Sequence, residues 1–157
     1  MQPRKYALFG GILMLVMGAF ALIPALYDYP AAMLPALKVE NSYGLFLGIF
    51  PMNIFNKVAL IAFGAAGIFA SQLPTTALPA SVKWARAVFV VMGIAAVLGL
   101  FRQTDTLSGY WPLFGAEVWS HGIFAILGAY FGFALTHKAN AEIQPLIRDG
   151  KRSRHVA

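Results

Sequence analysis

Four stretches of this chain hold no Asp, Glu, Lys or Arg: Tyr6–Tyr27, Val58–Val82, Ala87–Phe101 and Val118–Thr136. At ~1.5 Å of rise per residue, most of them reach across a hydrocarbon core ~30 Å thick. Lipid is therefore the expected solvent. Composition agrees: 59% of residues are hydrophobic and 11% are charged. That charged share is about half the usual soluble fraction, too little to cover a water-facing surface. With 157 residues there is room for one domain. Four crossings leave only short connections, so no separate soluble catalytic domain fits. Any site must lie between the helices or at their ends.

The formal charge of +6 would point to nucleic acid in a soluble chain, but its placement gives a better account. Nine of the twelve basic residues fall in three segments: Arg4 and Lys5; Lys83 and Arg86; Lys138, Arg148, Lys151, Arg152 and Arg154. The other two connections carry Lys38, Lys57 and Arg102 beside Asp28, Glu40, Asp105 and Glu117. Two consecutive helical hairpins place both termini and the middle loop on one side, and the positive-inside bias makes that side cytoplasmic. No nucleic-acid partner is expected; membrane lipids are. The basic tail can touch anionic lipid at about 1 kcal/mol per residue.

The chain has no cysteine, which removes disulfides, thiolate metal sites and thiol redox chemistry together. Arg4–Lys5, an apolar run and Ala19-Phe20-Ala21 also fit the three parts of a signal peptide. An uncleaved first helix is the expectation here.

The expected fold is all-α, an integral membrane four-helix bundle forming one transmembrane domain. Its helices run at about 5–26, 52–73, 81–101 and 117–137, with a basic cytoplasmic tail over 138–157. Pro51 stops the apolar stretch Tyr43–Phe50, which is too short to span and reads as an interfacial or re-entrant segment. Trp84 is expected as an anchor near the inner surface. Gly48-Ile49-Phe50-Pro51 and Gly109-Tyr110-Trp111-Pro112 each precede a Gly-rich helix. This pattern reads as two parallel-repeat hairpins, or as the ordinary frequency of Gly and Pro near membrane helices. Small residues let backbones approach where apolar burial gives little net gain. Ala62, Ala66 and Ala70 on the second helix, and Gly128 and Gly132 on the fourth, are the packing candidates.

One polar cluster is expected at the outer end of the bundle: Asn53, Asn56, Lys57, Arg102, Glu117 and His121. Glu117 and His121 are four apart and share a helix face. Ionisable groups at such depth are costly unless paired or wet, and Lys57 with Glu117 and His121 with an Asn are the expected pairs. The cluster serves either as a proton- or ligand-binding site or as a structural clasp between the halves, the clasp being favoured. No metal or haem is expected. Glu117 and His121 lack a third strong ligand, while His121 and His137 fall at opposite depths. No nucleophile elbow, phosphate loop or dinucleotide fingerprint is present, and Gly10-Gly11 lies inside a helix.

The segment Gly44-Leu45-Phe46-Leu47-Gly48-Ile49-Phe50-Pro51-Met52-Asn53, followed by Asn56, resembles a bacterial family of small four-helix membrane proteins catalogued only as a domain of unknown function. Pro112-Leu113-Phe114-Gly115 with Val118-Trp119-Ser120-His121 is similar to its second characteristic stretch. The resemblance implies the architecture and no reaction. Family members often carry histidines in the second helix, where this chain has Asn56, Lys57 and Leu60. Asn53 and His121 are the matching polar positions.

The function expected from these features is that of a small, non-catalytic accessory or assembly subunit. It would sit among other integral membrane subunits in a bacterial inner membrane, multi-pass, with both termini cytoplasmic and no cofactor. One alternative is a small transporter or channel with Lys57, Glu117 and His121 on its path. Another is a quinone- or lipid-binding protein with a crevice near Trp111 and Trp119.

Overall fold

A computed structural model describes residues 2–29 and 34–136; the basic tail over 138–157 lies outside the described residues. Four helices carry the architecture: α1 (Pro3–Phe20), α2 (Ile54–Gln72), α3 (Ala77–Gly99) and α4 (Ala116–Ala129). α4 runs on through a π-helical turn, Tyr130–Ala134. Two of them, α2 and α3, are long and apolar enough to cross a membrane.

The ends of the helices follow from local chemistry. Pro24 has no N–H to donate and its ring collides with the carbonyl four residues back, so α1 stops at Phe20 rather than reaching residue 26. A 3-10 turn, Pro24–Leu26, takes its place. Asn53 starts α2 as an N-cap, accepting from the Phe55 amide, while the Asn56 side chain accepts from the Asn53 amide. α3 starts at Ala77 rather than 81, because Pro79 sits in the first turn, where a helical N–H has no intrahelical partner anyway.

The main departure from an all-α chain is a three-stranded antiparallel sheet: β1 (Tyr27–Asp28), β2 (Gly44–Phe46) and β3 (Phe50–Met52). β2 and β3 form a hairpin with Phe46 opposite Phe50 and Gly44 opposite Met52. Its turn places Leu47 and Gly48 at positive φ, 54° and 70°. The segment read from sequence as interfacial or re-entrant is thus this hairpin. A stretch too short to span satisfies its backbone groups by pairing with itself and with β1. Pro51 is accommodated because β3 is an edge strand.

Packing is by hairpins: α1 against α2 and α3 against α4. On α1, Ala7, Gly10, Gly11, Met14 and Gly18 form the buried stripe. A Cβ on Gly11 would lie 2.7 Å from the Gly64 carbonyl oxygen and 2.8 Å from the Ile68 nitrogen. In the second hairpin, a Cβ on Gly128 would lie 2.7 Å from the Ala85 carbonyl oxygen. Gly132 approaches Arg86 in the same way, so both glycines expected to pack do so. Among the alanines of α2, Ala70 is buried, but Ala62 and Ala66 face outward. Gly64 and Gly67 take the contact instead, because α1 comes too close for a methyl group.

Trp84 is a core residue rather than an interfacial anchor. Its ring fills the slot left by Gly10 and Gly67, and its indole N–H donates to the Phe63 carbonyl at 3.0 Å. Tyr6 packs against Trp84 and Phe131, with centroids at 5.4 and 4.6 Å, which joins α1, α3 and the π turn. At this end Arg4 donates to the Ser71 carbonyl at 2.7 Å and Arg86 to the Gly132 carbonyl at 2.9 Å. Arg4, Lys5, Lys83 and Arg86 therefore gather at one end, and the sheet and longer connections at the other.

Gly11→Ala is expected to lower stability by about 2 kcal/mol through forced separation of two backbones. Gly122→Ala, with nothing within 4 Å of the added Cβ, should leave it unchanged or slightly raised. Thermal melts of the two variants in one detergent would check the contrast; equal melting temperatures would remove the close-approach argument.

Candidate functional site

The end of the bundle away from the basic residues is built around the start of α2. Asn53 is fully buried and uses every polar atom of its side chain. Oδ1 caps the helix, while Nδ2 donates to the Tyr110 carbonyl at 2.8 Å and the Val39 carbonyl at 3.2 Å. Asn56 Nδ2 donates to the Pro112 carbonyl at 3.3 Å. Asn53 ties the helix to segments 14 and 57 residues away in sequence, and Asn56 ties it to one 56 residues away.

The second of those connections is locally strained. Leu107 and Ser108 both have positive φ, 45° and 60°, a conformation that costs an ordinary residue roughly 1–2 kcal/mol. Gly109 follows at 88°, where no Cβ is present to object, and its carbonyl accepts from the Lys38 amide at 2.7 Å. The turn delivers the Tyr110 carbonyl to Asn53.

Lys57 is buried one turn further on. Its ammonium donates to the Ser42 carbonyl at 3.0 Å and sits 4.1 Å from the centroid of the Tyr27 ring. The expected pairing of Lys57 with Glu117 is thus replaced by a carbonyl and an aromatic face. The sheet causes this, since β1 brings Tyr27 and the turn before β2 brings Ser42. Burial, then the neighbouring Tyr29 and Glu117, hold the Tyr27 phenol well above its usual range, so it stays protonated. Tyr29 also stacks on it at 6.0 Å.

Glu117 pairs with His121 instead: Oε2 and Nε2 are 3.4 Å apart, one helical turn along α4. The expected bond from His121 to an asparagine is not made, because both asparagines are already committed to backbone carbonyls. Glu117 Oε1 and His121 Nδ1 are buried with no bonding partner, as is Trp111 Nε1. The pair separates two cavities. One, of about 80 Å³, is shared with Asn56, Phe63, Trp111 and Leu113. The other, of about 130 Å³, is walled by Met14, Met17, Phe50, Met52 and Phe124.

Arg102 does not join this cluster; it stands exposed in the turns after α3. Trp119 also points outward and lines neither cavity, whereas Trp111 lines the first. Sequence reasoning missed the carbonyls of Val39, Ser42, Tyr110 and Pro112, which carry no side-chain signal. It also missed Tyr27 as the seat for Lys57, although an aromatic beside the first helix end was visible. Among the described residues no group of three His, Asp or Glu side chains is placed to hold a metal ion.

A family model described as Domain of unknown function (DUF4383) matches residues 4–134. The chain belongs to that family. The DUF4383 match takes in all four helices and every candidate site residue named above. No curated protein and no solved structure matches the chain.

The chemistry of the site divides in two. Asn53, Asn56 and Lys57 are spent on backbone carbonyls and hold connections in place. Glu117, His121 and Trp111 each keep a buried polar atom without a protein partner, and all three line the same cavity.

Asn53→Asp retains the capping oxygen but turns a carboxylate oxygen toward two carbonyls. It is expected to destabilise at least as much as Asn53→Ala, by about 2–3 kcal/mol. Denaturation in matched detergent measures this. A mild effect for Asn53→Asp would reduce Asn53 to a cap.

Proposed function

We propose that this protein is a multi-pass integral membrane protein, its four helices crossing a bacterial inner membrane, and that it serves as a small non-catalytic accessory subunit beside other membrane-embedded chains. The observation that supports the membrane reading is the outer surface of the bundle. Phe9, Leu13 and Phe20 of α1, Phe69 of α2, Ile94 and Val97 of α3, and Ile123 and Ile126 of α4 all face outward. Such a belt around every helix exceeds the apolar patches of a monomeric soluble protein. α1 and α4 fall outside a simple length-and-hydropathy test, α1 because Arg4 and Lys5 lie within its first turn. The helical run 116–136, continued through the π turn, rises ~30 Å at ~1.5 Å per residue.

Orientation rests on charge. With Arg4, Lys5, Lys83 and Arg86 at one end, the positive-inside rule makes that end cytoplasmic. The accessory role is supported by how the polar side chains are used. Most of those at the loop end secure connections, and the outward row of Trp119, Ile123 and Ile126 on α4 offers a face to a neighbouring helix.

Because the chain has no cysteine, single-cysteine labelling gives a clean test. On intact cells a membrane-impermeant maleimide should label Gln103→Cys, and should label Thr75→Cys only after permeabilisation. The reverse pattern would overturn the orientation, and labelling of both without permeabilisation would overturn the four-crossing topology. For the accessory role, purification in mild detergent followed by mass spectrometry should recover other integral membrane proteins in fixed ratio. A chain that elutes alone would count against it.

A further inference from the structure

The 80 Å³ cavity has two unlike ends. Its inner end carries Trp111, Glu117 and His121, each with a buried polar atom that no protein group satisfies. Its other lining is apolar and comes from α2 and α3, among them Phe63, Val91 and Ala95. Val91 is 44% exposed, so this apolar lining lies next to whatever surrounds the helices. On the membrane-spanning reading, which this inference requires, the surroundings are lipid.

We propose that the cavity binds the carbonyl head of a membrane-soluble lipophile, which enters sideways between α2 and α3. The donor set fits that chemistry. The Trp111 indole N–H can only donate. With the Glu117 carboxyl protonated and donating to His121 Nε2, the imidazole proton sits on Nδ1, which is then a second donor at the same cavity. A carbonyl oxygen has two lone pairs and accepts from both. Glu117 is nine-tenths buried and orients the imidazole through that bond.

Size sharpens the class. At ~30 Å³ per water, the cavity holds two or three water volumes, which suits one carbonyl with its neighbouring carbons. It is smaller than a ~150 Å³ cavity of the kind that takes up a whole benzene ring. The remainder of the ligand must lie outside, along the apolar slot, where a hydrocarbon chain is at no disadvantage in lipid. A quinone with one carbonyl inserted and a fatty acid inserted by its carboxyl share this chemistry.

Calorimetric titration of the full chain in detergent, against detergent blanks, separates the two sources with decylubiquinone in one arm and oleic acid in the other. Saturable one-to-one binding is expected in at least one arm, and the arm that binds identifies the source. Trp111→Phe and His121→Leu should each weaken binding about tenfold, the effect of one hydrogen bond. Ala95→Phe, which blocks the slot without touching a donor, should abolish it. Should a donor variant fail to fold, Ala95→Phe still tests the site, its folding checked by melting and elution. Absence of saturable binding in both arms would overturn the proposal, as would binding indifferent to all three variants. Either result leaves the topology standing if the cysteine labelling pattern holds, so the two readings fail separately.

Discussion

The amide of Asn53 is the junction on which the loop end of this molecule depends. Where water is scarce, every backbone carbonyl in a connection needs a donor from within the protein. One side chain caps α2 and donates to carbonyls in both long connections, so the helix start and the two loops hold each other in register. Asn56 and Lys57 extend the same logic to Pro112 and Ser42. The strained turn at Leu107–Gly109 is the visible cost of bringing the Tyr110 carbonyl to that point. Once it is there, Trp111 must follow, which sets one wall of the cavity.

Along the bundle a different constraint governs. Glycines let backbones meet, and in each hairpin the second helix supplies them: Gly64 and Gly67 against α1, Gly128 and Gly132 against α3. The first hairpin adds Gly11 on the facing helix, which makes the approach closer still. The halves share this mode of packing but not their connections, since a β-hairpin leads into α2 and a strained turn into α4. Trp84 then locks the hairpins together by filling the slot that Gly10 and Gly67 leave open.

Much of this was legible in residue types, and the limits have physical causes. Charge-free runs gave the four helices, and Gly128 and Gly132 read correctly as contact positions. The α1 boundary was missed, expected at residue 26 and found at Phe20, although Pro24 forbids the helix that hydropathy alone would continue. Ala62 and Ala66 misled because spacing of four identifies a stripe but not which stripe faces a partner. The hairpin Gly44–Met52 was hidden because its apolar residues suit a lipid interface as well as a small sheet. Within the site, residue types located Asn53, Lys57, Glu117 and His121 but misassigned their partners. Those partners are largely backbone carbonyls, and a carbonyl's position belongs to the fold rather than to any letter of the sequence.

The same accounting separates the clasp from the binding group. A polar residue kept for structure alone tends to be fully satisfied, because an unmet hydrogen-bonding atom in a dry interior costs about 1–3 kcal/mol. Asn53 meets that standard, with all its side-chain polar atoms engaged. Glu117 and His121 do not: each keeps one buried atom unpartnered, as Tyr27 and Ser81 also do, but Glu117 and His121 in addition line both cavities. A Leu–Phe pair in their place would close the bundle at lower cost, since a buried polar pair with unmet atoms seldom outperforms hydrophobic packing of equal volume. A fold that retains the costlier choice, and leaves space beside it, has stability withheld at one place. For the lipophile proposed above, the complementary atom is its carbonyl oxygen, and the apolar lining of the cavity is its way in.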